Sequence, residues 1–137
     1  MIRVLIVDDH MLMRQGVCAL LMKAPEIKVV GEARDGKEAI ERAAHLQPDV
    51  ILMDIEMPRL DGLQATCQLT QDGSAARIII LSMRTDEKSV RRAADCGAHG
   101  YLIKNSGRAD LIDAIRSVNG GQRVASPEVE SYFFDAD

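Results

Sequence analysis

Reactive side chains follow four short apolar runs in this chain of 137 residues. Asp8 and Asp9 follow the first run, Asp54 follows a later one, and Ser82 and Lys104 follow two more. A carboxylate nucleophile, further acidic oxygens, a hydroxyl and an ammonium group are the parts that phosphoryl transfer to an aspartate requires. These residue types therefore predict a phosphoryl-transfer site, provided that the fold brings the four positions together.

The acidic members of this set also predict a divalent metal site. Asp8, Asp9 and Asp54 would repel one another and hold protons if they lay close together without a cation. Ligation by oxygen atoms suits Mg²⁺, which keeps several waters and usually shares its site with a phosphate. We therefore expect Mg²⁺ as the cofactor.

The cysteines indicate neither a disulfide framework nor a zinc site. Cys18, Cys67 and Cys96 are odd in number and far apart, and each lies within a helical pattern. We expect buried free thiols in a reducing compartment. The three histidines, His10, His45 and His99, also lack the spacing of metal ligands.

Composition and charge exclude other classes of protein. Hydrophobic residues make up 47% of the chain and charged residues 28%, which is typical of a globular domain. The formal net charge of −4 argues against nucleic-acid binding by this segment, because such binding depends on Lys and Arg neutralising phosphates. No apolar run approaches the roughly 20 residues that span a bilayer, and the N-terminus lacks a signal-peptide cleavage site. We expect a cytoplasmic protein with no membrane partner.

The apolar runs alternate with stretches of helical spacing. Strands are predicted over residues 2–7, 27–33, 50–53, 78–81 and 100–103. Helices are predicted over about 13–24, 35–46, 63–71 and 87–95, then as one capped by Ser106 and a short one over 126–134. This alternation predicts a parallel sheet with helices on both faces.

The polarity of the strands favours one strand order. The outer strands are half-polar or short and the three inner ones are apolar, which favours the order 2-1-3-4-5 of the flavodoxin-like fold. The predicted fold class is therefore α/β, a doubly wound (βα)5 domain with a five-stranded parallel sheet. Ligands bind at the carboxyl ends of the strands in such a sheet. All four reactive positions are expected at that rim.

The combined motifs resemble the receiver domain of two-component response regulators, in the NarL/FixJ (LuxR-type) subfamily. The resemblance covers residues 2 to about 120. The residues that carry it are Asp8-Asp9, Asp54, Met57-Pro58, Asp61-Gly62, Ser82 and Gly100-Tyr101-Leu102-Ile103-Lys104.

This resemblance assigns a role to each residue at the rim. It implies that Asp54 accepts a phosphoryl group from a phosphohistidine on a sensor histidine kinase. Asp9 and Asp54 would ligate Mg²⁺ or Mn²⁺ directly, Asp8 would act through bound water, and the backbone carbonyl of Glu56 would complete the protein ligands. The chain would then be a phosphoacceptor with self-catalysed phosphotransfer and autodephosphorylation, and not an enzyme acting on an external substrate.

The same resemblance implies how the state of Asp54 is read. Lys104 would pair with the phosphoryl group and Ser82 would donate a hydrogen bond to it. Tyr101 would change rotamer as the readout. The altered surface would support homodimer formation on phosphorylation or docking of an output domain.

Glu56 and Arg84 each lie two residues beyond a site residue. An ion pair between them across the mouth of the site would restrict the water that hydrolyses the acyl phosphate, and so lengthen its lifetime. The alternative is two solvated loop charges, because exposed pairs contribute only about 0 to 1 kcal/mol.

The end of the chain resembles the exit from such a receiver toward a helix-turn-helix DNA-binding domain. We expect a receiver domain over residues 1–121 and a linker or short helix over 122–137 that leads to an absent output domain. Transcription regulation would follow, with DNA contacted only through that domain. The aromatic residues Tyr132, Phe133 and Phe134 would be bare at a free end, so the tail could also pack on the receiver or on another copy.

Three alternative functions share part of this sequence pattern. A receiver could act alone through protein contacts, without a DNA-binding domain. A phosphatase of the haloacid dehalogenase type also uses an aspartate after a strand, but it needs a second Asp where this chain has Glu56. A flavodoxin-like flavin binder needs a loop rich in Ser, Thr and Gly after the first strand, where this chain has Asp8-Asp9-His10.

Overall fold

The computed structural model describes residues 1–105 and 108–135, so the expected cap at Ser106 lies outside the described residues. The strands are β1 Ile2–Val7, β2 Ile27–Ala33, β3 Val50–Met53, β4 Arg77–Ser82, β5 Gly100–Ile103 and β6 Val124–Ala125. The helices are α1 Met11–Leu21, α2 Gly36–Leu46, α3 Gly62–Gln71, α4 Glu87–Asp95, α5 Arg108–Asn119 and, after a 3-10 turn at Pro127–Val129, α6 Glu130–Phe134.

The strands form one parallel sheet in the order β2-β1-β3-β4-β5-β6. The predicted order 2-1-3-4-5 and the flavodoxin-like fold are confirmed. The predicted count of five strands is wrong by one, because β6 pairs with β5 and covers the edge that the sequence assigns to β5. A strand of two residues carries no alternation by which its sequence could reveal it.

Two apolar layers enclose the sheet. Val17 and Leu21 of α1 and Ile115 of α5 pack on one face, and Leu69 of α3 and Val90 of α4 pack on the other. Burial of a side chain of this size stabilises the folded chain by about 1.5 to 3 kcal/mol. None of the helices within residues 1–105 and 108–135 has the length and apolar composition needed to cross a membrane.

Aspartate side chains cap the starts of α2, α3 and α4. The side chain of Asp35 accepts from the Glu38 N–H at 2.8 Å at the start of α2. Asp61 and Gln64 form a reciprocal capping box at α3. Caps of this kind contribute about 1 kcal/mol each. The cap at Asp61 also fixes where the loop after β3 ends.

The first helix differs from its prediction. The apolar spacing predicts a helix over about residues 13–24, whereas α1 spans Met11–Leu21. The position of Ala24 before Pro25 disfavours helical backbone angles, so the helix ends earlier than predicted. Ala24 is nevertheless buried, in the turn that follows the helix. The apolar contact of Ala24 is retained although the helix has ended.

The expectation of three free thiols is wrong. Cys67 of α3 and Cys96, the C-terminal cap of α4, form a disulfide with a Cα–Cα distance of 4.5 Å. The ends of α3 and α4 converge there, because Gly97 adopts a φ of 96° and leaves room for the Thr70 side chain. The Thr70 hydroxyl donates to the Cys96 carbonyl at 2.8 Å. A separation of 29 residues gives no sign of this convergence, and Cys18 remains free.

Candidate functional site

Parallel register brings the reactive positions to one rim of the sheet. Val7 and Met53 are partners in β1 and β3, so Asp8 and Asp54 leave adjacent strands side by side. The Asp54 N–H continues the ladder by donating to the Val7 carbonyl at 2.9 Å. The Lys104 N–H donates in the same way to the Ser82 carbonyl, also at 2.9 Å.

Lys104 joins the two innermost carboxylates. Its Nζ lies 3.1 Å from Asp8 Oδ2 and 3.0 Å from Asp54 Oδ1. All three side chains are at most 10% exposed, so the charges are shielded from water. A cation between two buried carboxylates offsets the repulsion that their proximity causes.

Burial and contacts with oppositely charged groups act in opposite directions on the pKa values of Asp54 and Lys104. Burial raises the pKa of Asp54, the nearby Asp8 carboxylate raises it further, and the bond from Lys104 only partly opposes this, so the net shift is upward. Burial lowers the pKa of Lys104, but the contacts with Asp54 and Asp8 outweigh it and the net shift is also upward. Lys104 therefore stays cationic beside Asp54, and a further positive charge would stabilise the charged form of Asp54.

The residues present fit a divalent metal. Ligand atoms of Asp8, Asp9, His10 and Asp54 all lie within 4.8 Å of one another. Three carboxylates are the hard oxygen donors that Mg²⁺ and Mn²⁺ accept. Asp9 is the more exposed acid, with 30% of its side chain accessible, and so offers an open side of the site.

His10 is the member of this cluster that the sequence misses. Its Nδ1 lies 3.2 Å from Asp8 Oδ1 and 3.1 Å from Asp9 Oδ1. The spacing between histidines gives no hint of this, but the adjacency of His10 to two acidic residues at a strand end does. The Glu56 carbonyl as a ligand and the water-mediated role of Asp8 remain predictions.

Ser82 and Tyr101 meet at the loop between β4 and α4. Ser82 is 3% exposed, and its Oγ accepts from the Arg84 N–H at 3.0 Å. The Tyr101 hydroxyl donates to the Arg84 carbonyl at 2.8 Å. Burial raises the pKa of Tyr101 to about 12, so the phenol keeps the proton that it donates. Tyr101 is fully buried in this arrangement, with its side chain turned inward into the domain.

Glu56 and Arg84 form the ion pair that the sequence hypothesis requires. Arg84 Nη2 lies 2.6 Å from Glu56 Oε1, and Arg84 Nε lies 2.9 Å from the same oxygen. The side chains are 69% and 47% exposed, respectively, so the pair contributes at most about 1 kcal/mol to stability. Any functional value of this pair must come from its position rather than from its strength.

Gly62 holds the backbone at Asp54 in place. Its N–H donates to the Ile55 carbonyl at 2.8 Å, which closes the loop after β3. A Cβ at this position would overlap the carbonyl oxygen of Asp54. Glycine is required here because the chain must return directly beneath Asp54.

The aromatic tail packs on the same domain. Phe133 is fully buried and its ring centroid lies 6.4 Å from that of Tyr101. Of the arrangements that the sequence left open, the structure therefore shows packing on the receiver. The contact with Tyr101 is not evident in the sequence, because 32 residues separate the two rings.

The rim, its acidic cluster and the parallel fold define a class of protein. Residues 4–116 match the response regulator receiver domain family, and the chain belongs to that family. It is a receiver domain of a two-component response regulator, and so not a conventional enzyme. Response regulators act with sensor histidine kinases in two-component systems.

The curated relatives of the chain are bacterial regulatory proteins. It is 44% identical over 131 residues to the transcriptional regulatory protein LiaR of Bacillus subtilis, covering 96% of this chain and 60% of LiaR. It is 41% identical over 128 residues to the response regulator VraR of Staphylococcus aureus, covering 93% of this chain and 61% of VraR. The chain thus spans about three fifths of these curated relatives.

Solved structures agree in fold. A two-component response regulator of the LuxR family from an Aurantimonas species superposes with a TM-score of 0.90 at 34% identity, over 97% of this chain and 95% of that one. The receiver domain of a NarL regulator from Mycobacterium tuberculosis superposes with a TM-score of 0.86 at 35% identity, over 88% of this chain and 98% of that one. These neighbours support the NarL/FixJ-type resemblance noted in the sequence.

Proposed function

We propose that Asp54 is the phosphoacceptor of this receiver and takes its phosphoryl group from a phosphohistidine on a sensor histidine kinase. The observation that supports this most is the bridge from Lys104 to Asp8 and Asp54 at the strand ends. It places a nucleophilic carboxylate, a fixed cation and further acidic oxygens in one shielded site, which is the set that aspartyl phosphorylation requires.

In this mechanism a carboxylate oxygen of Asp54 attacks the phosphorus atom. The O–P bond forms as the P–N bond to the kinase imidazole breaks, and the leaving imidazole nitrogen takes up a proton from solvent. Lys104 Nζ turns from the carboxylates to an oxygen of the transferred group, and the Ser82 hydroxyl donates to another oxygen. Asp8, Asp9 and Asp54 would hold Mg²⁺ or Mn²⁺, which when bound stabilises negative charge on the phosphoryl oxygens.

Phosphorylation would then bias a population between two packings. Ser82 and Lys104 draw toward the added oxygens, and Tyr101 favours the inward position. We propose that the changed surface supports a homodimer and acts on a DNA-binding domain beyond residues 122–137, in the cytoplasm. The name of LiaR as a transcriptional regulatory protein, together with the share of it that this chain covers, supports such an output.

Metal removal tests the proposed function. Incubation of the chain with acetyl phosphate and Mg²⁺ is expected to add one phosphoryl group, because the metal and Lys104 together offset the charge of the three carboxylates. EDTA is expected to reduce this incorporation by at least about tenfold, since one divalent charge is worth several kcal/mol at such a site. Intact-protein mass spectrometry measures both. Equal incorporation with and without EDTA would show that a metal held by the acidic cluster has no part in the reaction.

The ion pair between Glu56 and Arg84 is expected to lengthen the life of the acyl phosphate. Glu56→Ala and Arg84→Ala should each speed dephosphorylation by up to about fivefold, which corresponds to an exposed pair of at most about 1 kcal/mol. Loss of phosphoryl protein after removal of the donor gives the rate. Glu26→Ala breaks an exposed pair with Arg116 on α5, away from the site, and serves as the control. Unchanged lifetimes in both test variants would leave the pair without this role.

A further inference from the structure

The C-terminal segment, residues 122–135, packs against Tyr101, the proposed readout residue. β6 pairs with β5, with Ala125 opposite Tyr101. The Ser126 N–H donates to the Tyr101 carbonyl at 2.9 Å, and Ser126 Oγ accepts from the Ile103 N–H at 3.0 Å in a buried position. The backbone on both sides of Tyr101 is therefore held by this segment.

The side chains of the C-terminal segment enclose the Tyr101 ring. Phe133 and Val129 are both fully buried and share one apolar cluster with it. The guanidinium of Arg123 lies 4.6 Å from the centroid of the Phe133 ring, over the outer side of the segment. Loss of Phe133 would remove part of the apolar packing around the Tyr101 ring. The inward position of Tyr101 therefore depends on docking of the C-terminal segment.

The segment also contacts α4, the helix that follows the loop after β4. The guanidinium of Arg91 on α4 lies 5.9 Å from the centroid of the Tyr132 ring, and its Nη1 donates to the Asp135 carbonyl at 3.3 Å. The Tyr101 hydroxyl contacts the Arg84 carbonyl, two residues beyond Ser82. A continuous set of contacts therefore runs from Ser82 through Tyr101 to Phe133.

We propose that docking of the C-terminal segment and phosphorylation of Asp54 stabilise each other through Tyr101. The proposal rests on the proposed function, since it needs Asp54 as the acceptor. The sign follows from the geometry: the docked segment holds Tyr101 inward, and movement of Ser82 toward a phosphoryl group favours the same inward position. Coupling of this kind is reciprocal, so each event raises the affinity for the other by the same factor. The docked arrangement of this segment would then be more populated when Asp54 is phosphorylated.

Beryllofluoride with Mg²⁺, a mimic of the phosphoryl group, tests this coupling. Phe133→Ala is expected to weaken beryllofluoride binding about fivefold or more. Phe134→Ala is the matched control, because Phe134 lies on the same helix but is 44% exposed. Ser126→Ala, which removes the acceptor for the Ile103 N–H, provides a second test variant should Phe133→Ala fail to fold. In the wild-type chain, beryllofluoride should slow tryptic cleavage after Arg123.

The results of this experiment distinguish failure of the proposed function from failure of the coupling. A wild-type chain that does not bind beryllofluoride contradicts the proposed function itself. Binding that is equal in wild type, Phe133→Ala and Ser126→Ala, with no change in cleavage after Arg123, overturns the coupling alone. Faster cleavage on binding would also overturn it, because phosphorylation would then release the segment.

A separate observation concerns the thiol pair. Cys67 is partly exposed on α3, whereas Cys96 is 7% exposed at the end of α4. The bond from the Thr70 hydroxyl to the Cys96 carbonyl and the close approach at Gly97 hold the two helix ends together without a covalent link. The reduced and oxidised forms can therefore share one backbone.

We further propose that Cys67 and Cys96 are a reversible redox pair, oxidised by a small-molecule disulfide. The Cys67 thiolate attacks one sulfur of that disulfide and releases the other as a thiolate. The Cys96 thiolate then attacks Cys67 in the mixed disulfide and releases the second small thiol. Two protein thiols are oxidised, one small disulfide is reduced, and the two thiol protons pass to the released thiolates. The loop thus closed contains Ser82 and all of α4, so oxidation restrains the element that contacts the C-terminal segment.

Oxidised glutathione and thermal unfolding test the pair. The oxidised chain is expected to retain one free thiol and to unfold at a temperature roughly 10 °C above that of the reduced chain, because a loop of this length is closed in the unfolded state. Cys18→Ser should keep this shift, and Cys67→Ser and Cys96→Ser should each lose it. A wild-type chain with three free thiols after treatment, or with stable mixed disulfides instead of the internal bond, would overturn the proposal.

Discussion

Asp54→Ala is expected to abolish phosphoryl incorporation from acetyl phosphate with Mg²⁺, with a loss of at least about a hundredfold. Asp54 is the carboxylate that Lys104 and the acidic cluster surround, and removal of a nucleophile leaves no covalent route. Intact-protein mass spectrometry over time measures the loss. Asp113→Ala, which removes an exposed carboxylate on α5, should label like wild type.

The thermal stability of the Asp54 variants shows whether a loss of labelling results from unfolding rather than from loss of the acceptor. The pKa of Asp54 is raised, by burial first and by Asp8 second, so its charged form is disfavoured in the folded chain at neutral pH. Stability from this group therefore increases as the pH falls through its folded pKa. Asp54→Asn removes the charge and should unfold at a temperature no lower than wild type. Persistent stoichiometric labelling of a folded Asp54→Ala chain would reject Asp54 as the acceptor.

Lys104→Met is expected to slow phosphoryl transfer by about 10² to 10³. Its ammonium group lies beside Asp54, the proposed nucleophile, and loss of one such donor to developing charge costs about 2.7 to 4 kcal/mol. The initial rate of incorporation from acetyl phosphate measures the effect. Lys88→Met on α4 removes an exposed lysine and should have no effect.

Loss of Lys104 should also lower the free energy of unfolding. Asp8 and Asp54 would face each other without their shared cation, and breaking a buried ion pair costs about 3 to 5 kcal/mol. Mg²⁺ should restore more stability to this variant than to wild type, because it supplies the missing charge. A variant that transfers phosphate at the wild-type rate would mean that Lys104 neutralises the resting site and takes no part in transfer.

Much of the site could be predicted because its residues lie at strand ends. Continuous apolar runs identify buried parallel strands, and parallel topology brings their carboxyl ends to one rim. Asp8, Asp54, Ser82 and Lys104 therefore could be placed near one another before any distance was known. The ion pair between Glu56 and Arg84 followed from the same logic, one step further from the strands.

The features that escaped prediction depend on tertiary contacts with weak local patterns. β6 has only two residues, and the docking of Phe133 on Tyr101 joins segments that are distant in the sequence. The Cys67–Cys96 bond requires knowledge that α3 and α4 converge at their C-terminal ends. His10 joined the acidic cluster through adjacency rather than through the spacing that usually marks metal ligands.

The direct test of the central claim is the position of the acyl phosphate in the wild-type chain. Borohydride reduces an aspartyl phosphate to homoserine, so treatment of the chain after reaction with acetyl phosphate and Mg²⁺ marks the acceptor permanently. Peptide mass spectrometry should find homoserine at Asp54, in an amount that matches the phosphoryl group incorporated. Homoserine at Asp8 or Asp9 instead, or unmodified Asp54 in a fully phosphorylated chain, would contradict the account.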